Sequence, residues 1–500
     1  MCVRVSPASR DSSHNLFMKI CVLGLEGAVP EILFRDERLV NLRRLMELGV
    51  YGALQGIVPP GAVPGWICMA ASQDPGSLGI YGPCARLDRS YAWPVAVRPP
   101  NIHGSALWDT VAAAARKSIL VAVPPNFPPR PVSGLSVGCF LAPDSAAGDF
   151  AWPVSLQDDI RQLVGGNYVS DITLSPGRSM DELRDGIFEM NRKQWELVRW
   201  FLREKEWDYF HFVDIGLDRV QRFFWTDFDE QHPRHTPANP YQSVIPDYWL
   251  ALDEQIGSVL ELLDSETVLL LASANGMQRL DGGFAVNQWL FEEGLLVLNQ
   301  SPGPGIVPLQ QFDIDWARTR AWSGGGPVAA IHFNVQGREP QGTIPAGDYE
   351  AFREEVTNRL ASLRDSSNRR MPAQVLIPEK IYRELRGIAP DLIVQVGEGH
   401  WSSIAGLGHA DPFVQEMAES GISCGPGLFI LTAPNCPLSG AYEGAHLLDL
   451  APTVLDLAGY EIPASMQGRS LVAGMEKKRE DAGPDNEQII MDRLAGLGYV

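Results

Sequence analysis

Thr267-Val-Leu-Leu-Leu-Ala-Ser273-Ala274-Asn275-Gly276-Met277 is the stretch that decides the fold. The run from Thr267 to Ala272 is apolar without alternation, as a strand buried on both faces of a parallel sheet must be. It breaks into the small, turn-forming tetrad Ser273–Gly276. Just upstream, residues 245–263 carry apolar side chains at helical spacing and feed this strand. The same unit recurs outward along the chain. Residues 19–25 form a second continuous apolar strand, closed by Gly27. Residues 106–116 read as a helix and 118–123 as the strand after it. Residues 180–205 form a long amphipathic helix, and 209–213 the strand that follows. Residues 39–49 have helical spacing and end on Gly49, the residue expected at a helix C-cap. This alternation predicts an α/β fold, with helices on both faces of a mostly parallel sheet. No internal repeat is visible.

Two regions interrupt the pattern. Residues 124–176 are rich in Pro, Gly and Ser and read as an insert or lid. Residues 285–388 hold strand-like pieces (328–335) and a helix (349–363), and read as a second insert. Pro390-Asp-Leu-Ile-Val-Gln-Val396 is expected to return to the main sheet. The predicted organisation is therefore a polar extension over 1–17, a core over 18–284 and 389–474, an insert over 285–388, and a charged tail over 475–500. Met18 is a candidate start. Within the tail, Met491–Tyr499 reads as a short amphipathic turn docked on the body.

Composition narrows the class. Forty-five per cent apolar content supports a full core, and a net charge of −20 argues against nucleic acid or an anionic membrane as the default partner. No apolar run is long enough to span a bilayer. The seven cysteines are scattered, odd in number and without a C-x-x-C pair. That reads as reduced thiols and a cytoplasmic location rather than a disulfide framework.

Several landmarks occur in one order. Lys19-Ile-Cys-Val-Leu-Gly-Leu-Glu26-Gly-Ala28 is followed by Val58-Pro-Pro-Gly-Ala62-Val-Pro-Gly-Trp66, then by Trp108-Asp109 and the Pro-rich 121–134 stretch. Asp218-Arg-Val-Gln-Arg222-Phe-Phe-Trp225 comes next, then Ser273–Met277, Ser420-Gly-Ile-Ser423-Cys-Gly-Pro-Gly-Leu-Phe429, and Asp449–Tyr460. Together these resemble the type I phosphodiesterase/nucleotide pyrophosphatase branch of the alkaline phosphatase superfamily. The resemblance covers almost everything after Met18. It implies a three-layer α/β/α fold with the 285–388 insert as a cap subdomain. It also implies phosphoric ester chemistry run by two divalent metals, usually zinc, and a threonine nucleophile.

The positions that match the family's site are altered. Ala62 stands at the nucleophile and has no hydroxyl. The metal-ligand positions read Glu26, Asp218, Arg222, Ala274, Asn275 and Ser423. Only Asp218 is unchanged; Glu26 keeps the charge on a longer arm. Alanine has no donor atom, an amide is a weak ligand for a zinc-like ion, and arginine repels one. Leu78 replaces a further family histidine. His409, in Gly406-Leu-Gly-His, reads as a surface or hydrogen-bonded residue rather than a rebuilt ligand. The same holds for Asp227–His232 with His235, taken as a solvated loop. Asp449 reads as the charge at a helix start, Gly337–Gly342 as a turn, and Arg219 with residues 223–225 as packing or pairing near the cleft wall.

The resemblance thus predicts no bound cofactor and a catalytically impaired member that binds a small phosphorylated ligand or a protein partner. The candidate binding residues are Glu26, Asp218, Arg222 and Asn275. An abandoned cleft and a retained anion site both fit. An active phosphate- or sulfate-ester hydrolase with a rebuilt site is one alternative, and a structural partner of an active paralogue another. Asp218 and Arg222, four apart, would share a helix face and pair.

Overall fold

The computed structural model describes residues 17–142, 148–173, 177–300, 302–303 and 305–475. The polar extension before residue 17, most of the charged tail and the Met491–Tyr499 turn lie outside the described residues.

The strand Ile20–Leu25 is buried along its whole length and forms the centre of a ten-stranded sheet. It pairs in parallel with Tyr209–Asp214 on one side and Val268–Ser273 on the other. Ser118–Val121 and Gly134–Val137 continue the parallel order beyond Tyr209–Asp214. On the other flank Gly427–Thr432 runs antiparallel between Val268–Ser273 and Val50–Gln55. The pleat divides two cores. Cys21, Leu23 and Leu25 face the layer of helices Val40–Leu48, Met180–Glu204, Gly216–Phe228 and Val244–Leu260. Ile20 and Val22 face Ala62–Ala71, Leu107–Ala113 and Leu450–Ala458. The three-layer α/β/α arrangement follows.

A second, seven-stranded sheet stands beside the first, in the order Ala321–Ser323, Ala329–Phe333, Leu392–Val396, Trp401–Ile404, Gly282–Ala285 and Phe413–Val414, with Ala373–Leu376 also on Leu392–Val396. Its own core gathers Phe284, Trp289, Ile331, Phe333, Phe352 and Val394.

Two local expectations are corrected. Leu392–Val396 does not rejoin the main sheet; it pairs with Ala329–Phe333 and Ala373–Leu376, and Gly427–Thr432 is the strand that returns. The 124–176 stretch is not a separate lid, because Gly134–Val137 and Ala151–Trp152 extend the main sheet to its edge. Gly49 does cap the helix Val40–Leu48, as its spacing predicts. Its backbone is extended, and it is needed for space, since a Cβ there would lie 2.3 Å from the Leu431 carbonyl oxygen. Among the described residues no helix is long and apolar enough to cross a membrane.

Candidate functional site

Three parallel strands, Ile20–Leu25, Tyr209–Asp214 and Val268–Ser273, end side by side. The residues just past their carboxyl ends meet there, where open α/β sheets carry their sites. Glu26 follows the first, and its amide donates to the Asp214 carbonyl at 3.0 Å. Ala274 and Asn275 follow the third. Ser273 Oγ ties two of these turns together, accepting from Ala28 N at 3.0 Å and donating to Asn275 O at 2.7 Å. Asp218 lies in the first turn of the helix Gly216–Phe228, whose start is held by Asp214. That buried carboxylate accepts from Leu217 N, Tyr248 Oη, Asn191 Nδ2 and Trp195 Nε1.

Asp218 is 2% exposed and is covered by two cations. Arg222 grips it with a fork: Nη2 donates to Oδ1 at 2.8 Å and Nε to Oδ2 at 3.1 Å. The helical pairing predicted from the four-residue spacing is present. Arg219 Nη1 donates to Oδ2 at 2.6 Å, while its other edge holds Asp171 through Nε and Nη2 at 2.8 and 2.7 Å. Arg222 also reaches Glu419 Oε2 at 3.2 Å. Burial pushes the Asp218 carboxyl up, but the charges and hydrogen bonds of Arg222 and Arg219 outweigh it and hold the group below its ordinary value. Both guanidiniums are held more firmly protonated than usual.

Glu26 has a different environment. It is fully buried, Trp66 Nε1 donates to Oε2 at 2.6 Å, and Ser423 Oγ donates to Oε1 at 3.3 Å. Desolvation, then the Asp218 charge, pushes its carboxyl up to about 8, against the two hydrogen bonds and Arg222. Trp66 can reach it because residue 24 is glycine: a Cβ there would lie 2.5 Å from the indole Cη2. Ser423 is delivered by the strand Gly421–Ser423, paired with Met277–Arg279.

The helix Ala62–Ala71 closes the remaining side. It packs so tightly on the Ala274–Asn275 turn that a Cβ on Gly65 would sit 2.7 Å from the Ala274 Cβ and 3.1 Å from Asn275 Nδ2. Ala274 is fully buried. Asn275 is 1% exposed, and its Nδ2 has no hydrogen-bond partner among the described residues. Ala62 begins the helix and is partly exposed. Among the described residues no group of three or more His, Cys, Asp or Glu is placed to hold a metal ion.

The structure therefore gathers Glu26, Asp218, Arg222, Asn275 and Ser423 into one contiguous centre. His409 lies elsewhere, beside the isolated Val307–Leu407 bridge, and is buried rather than on the surface, its Nε2 without a hydrogen-bond partner among the described residues. His232 is buried rather than solvated, with Nε2 against Leu280 O and Nδ1 against Thr226 Oγ1. Asp449 does open its helix, accepting from His446 N and Arg469 N. Sequence reasoning placed Arg219 at the cleft wall, where it does pair, but missed Glu419, Asp171 and Trp66 as parts of this centre. The place of Trp66 four residues after Ala62 was the available signal. Nothing in the sequence marks Glu419 or Asp171.

A family model for type I phosphodiesterase / nucleotide pyrophosphatase matches residues 20–420. No curated protein matches the sequence. Among solved structures, human ectonucleotide pyrophosphatase/phosphodiesterase 5 superposes with a TM-score of 0.52 at 12% identity, over 89% of this chain and 96% of that one. Phosphonoacetate hydrolase from Sinorhizobium meliloti 1021, solved with phosphonoformate, gives 0.54 at 14% identity, over 88% and 96%. An inactive variant of the murine phosphodiesterase 5, in complex with AMP, gives 0.50 at 12% identity, over 89% and 96%. At these identities the likeness is one of fold.

Proposed function

The chain belongs to the type I phosphodiesterase/nucleotide pyrophosphatase family of the alkaline phosphatase superfamily, and on that premise we propose that it binds a ligand instead of hydrolysing one. One observation carries the reading. The only unchanged metal-ligand position, Asp218, is saturated by two guanidiniums, with Arg222 forked across both oxygens.

The donor set at the centre does not fit two divalent ions. Arg222 brings a permanent positive charge, Ala274 brings no donor, and Glu26 is held by Trp66 and Ser423 in an environment that favours its neutral form. No step is therefore routed through a metal. Ala62 offers no oxygen for a covalent phospho-enzyme. The arginines do in place what a cation cluster does for carboxylates in a dry cleft: they keep Asp218 from standing as an uncompensated buried charge. The inactive murine relative solved with AMP makes a phosphate-bearing ligand the first class to try; a protein partner is the second.

The test is elemental analysis of chelator-free protein together with turnover of p-nitrophenyl phosphodiesters. The expected result is no stoichiometric zinc or manganese and no turnover. Two tightly bound ions per chain, or robust hydrolysis, would overturn the proposal in favour of a rebuilt hydrolase.

A further inference from the structure

A second arginine cluster lies where the 79–103 segment crosses from the main sheet to the second one. Tyr91 anchors that crossing: its ring stacks on Trp316 at 3.9 Å, and its hydroxyl donates to Asn334 Oδ1 and accepts from Gln341 N. Arg86 is carried in with it, its guanidinium over the Trp322 ring at 5.1 Å and its side chain only 3% exposed. Nη2 donates to Ser90 O, but Nη1 makes no hydrogen bond among the described residues. The nearest acid, Glu339 Oε1, is 3.9 Å away and is shared with Arg89 at 3.4 Å and, through Oε2, with Arg338 at 2.9 Å. Asp391 is taken by Arg338, Tyr349 Oη and Phe333 N. The exposed Asp88 accepts from Ser90 N. Three arginines thus share two buried carboxylates, and Arg86 is the one left short.

Beside it lies a cavity of about 310 Å³, bounded by Arg86 and His332 and otherwise largely by apolar residues, among them Pro59, Pro60, Pro327 and Val328. That size suits a small organic ligand. His332 is buried, and its Nδ1 also lacks a partner among the described residues. Burial, with the charge of Arg86, pushes its ring down to about 3, so it stays neutral and keeps one N–H to donate.

We propose that this cavity binds a small organic anion, its carboxylate or phosphate group on Arg86 and His332 and its apolar body against the prolines. This rests on the reading that the chain is a binder, and it names the ligand class and the place. A guanidinium edge left without an acceptor in a dry site is an anion site in waiting, because a charged acceptor makes short, charge-assisted bonds there. The cavity borders the Pro59-Pro60 turn, two residues before Ala62, but none of the groups that close the Asp218 centre lines it.

Calorimetric titration of the full chain tests it, with phenyl phosphate, phenylacetate, inorganic phosphate and neutral benzyl alcohol as probes. Phenyl phosphate or phenylacetate should bind, and whichever binds tighter identifies the head group; benzyl alcohol should not bind. Arg86→Gln should weaken that binding at least about tenfold, the size of one charge-assisted hydrogen bond. Val328→Trp, which fills the cavity and leaves the charges alone, should abolish it even if Arg86→Gln folds poorly. Binding that survives both substitutions within twofold, or equal binding of benzyl alcohol, or no binding of either aryl anion, would overturn the proposal. Zinc uptake or ester turnover by the unmodified protein would instead overturn the reading of the Asp218 centre and leave the Arg86 dependence intact.

Discussion

The two arginine–carboxylate clusters of this chain are finished differently. Around Asp218 both carboxylate oxygens are gripped, the cations reach further acids in Asp171 and Glu419, and Trp66, Ser423 and the Ala62–Ala71 helix close the space. Around Glu339 and Asp391 the arginines outnumber the acids, one guanidinium nitrogen is left over, and open volume lies beside it. A filled polar centre is easily mistaken for a binding site because its residues are polar. The contrast teaches that charge balance and room, rather than polarity, distinguish a plug from a receptor.

Substitutions can break or sharpen this contrast, and the largest effect is expected in the plug. Ala274→Asp restores a family ligand in sequence but places a carboxylate where Ala274 is fully buried and nearly touches Gly65. It should cost on the order of 4 kcal/mol, read as a drop in the urea midpoint, with no recovery on adding zinc. Zinc-dependent rescue by that single change would mean the centre still accepts a metal.

Arg222→Ala comes next. It uncovers Asp218, 2% exposed, while Arg219 remains, so the loss should be about 2 kcal/mol rather than the full cost of stranding a buried acid. An unchanged melting temperature would remove energetic weight from the fork.

Glu26→Gln sharpens the comparison through pH. The fold raises this carboxyl from 4.5 to about 8, so the folded state holds a proton that the unfolded chain releases. Its stabilisation is fully present below the unfolded value and is lost as pH rises towards about 8, by at most about 1.4 kcal/mol per unit. Urea melts across that window should show a downward slope in the parent that is reduced in Glu26→Gln; parallel curves would refute the raised carboxyl.

The smallest effect is expected in the open cluster. Arg89 is 40% exposed, and Glu339 keeps Arg338 without it. Arg89→Ala should change stability by under about 1 kcal/mol. A larger loss would mean that Glu339 depends on Arg89 and that Arg86 is less short of a partner than its geometry indicates.

The layered fold was legible because unbroken runs such as 267–272 and 19–25 have few ways to be buried, and helices of matching spacing separate them. Leu392–Val396 was misplaced because an apolar strand does not say which of two sheets it joins. The position of the centre was legible from motif order, and the Asp218–Arg222 pair from helical spacing alone. Its closure was not. Trp66 reaching Glu26 depends on the missing Cβ of Gly24 across the sheet, and Glu419 meets Arg222 from a loop 197 residues away. The Gly337–Gly342 segment was read as a turn, and it is one; that its Glu339 is a buried acid shared by several arginines is a tertiary fact.

The antiparallel strand Gly427–Thr432 has a consequence for how the molecule is made. It fills a slot between Val268–Ser273 and Val50–Gln55, after an excursion of roughly 150 residues through the second sheet. By ideal-chain scaling, closing a loop of that length costs about 2–3 kcal/mol more than closing a ten-residue turn. During synthesis both neighbouring strands emerge long before their partner and wait with unpaired edges, the state most open to wrong pairing. A chain halted before residue 427 should therefore collect as aggregate, whereas one released after Thr432 and its following helix should be recovered as soluble protein.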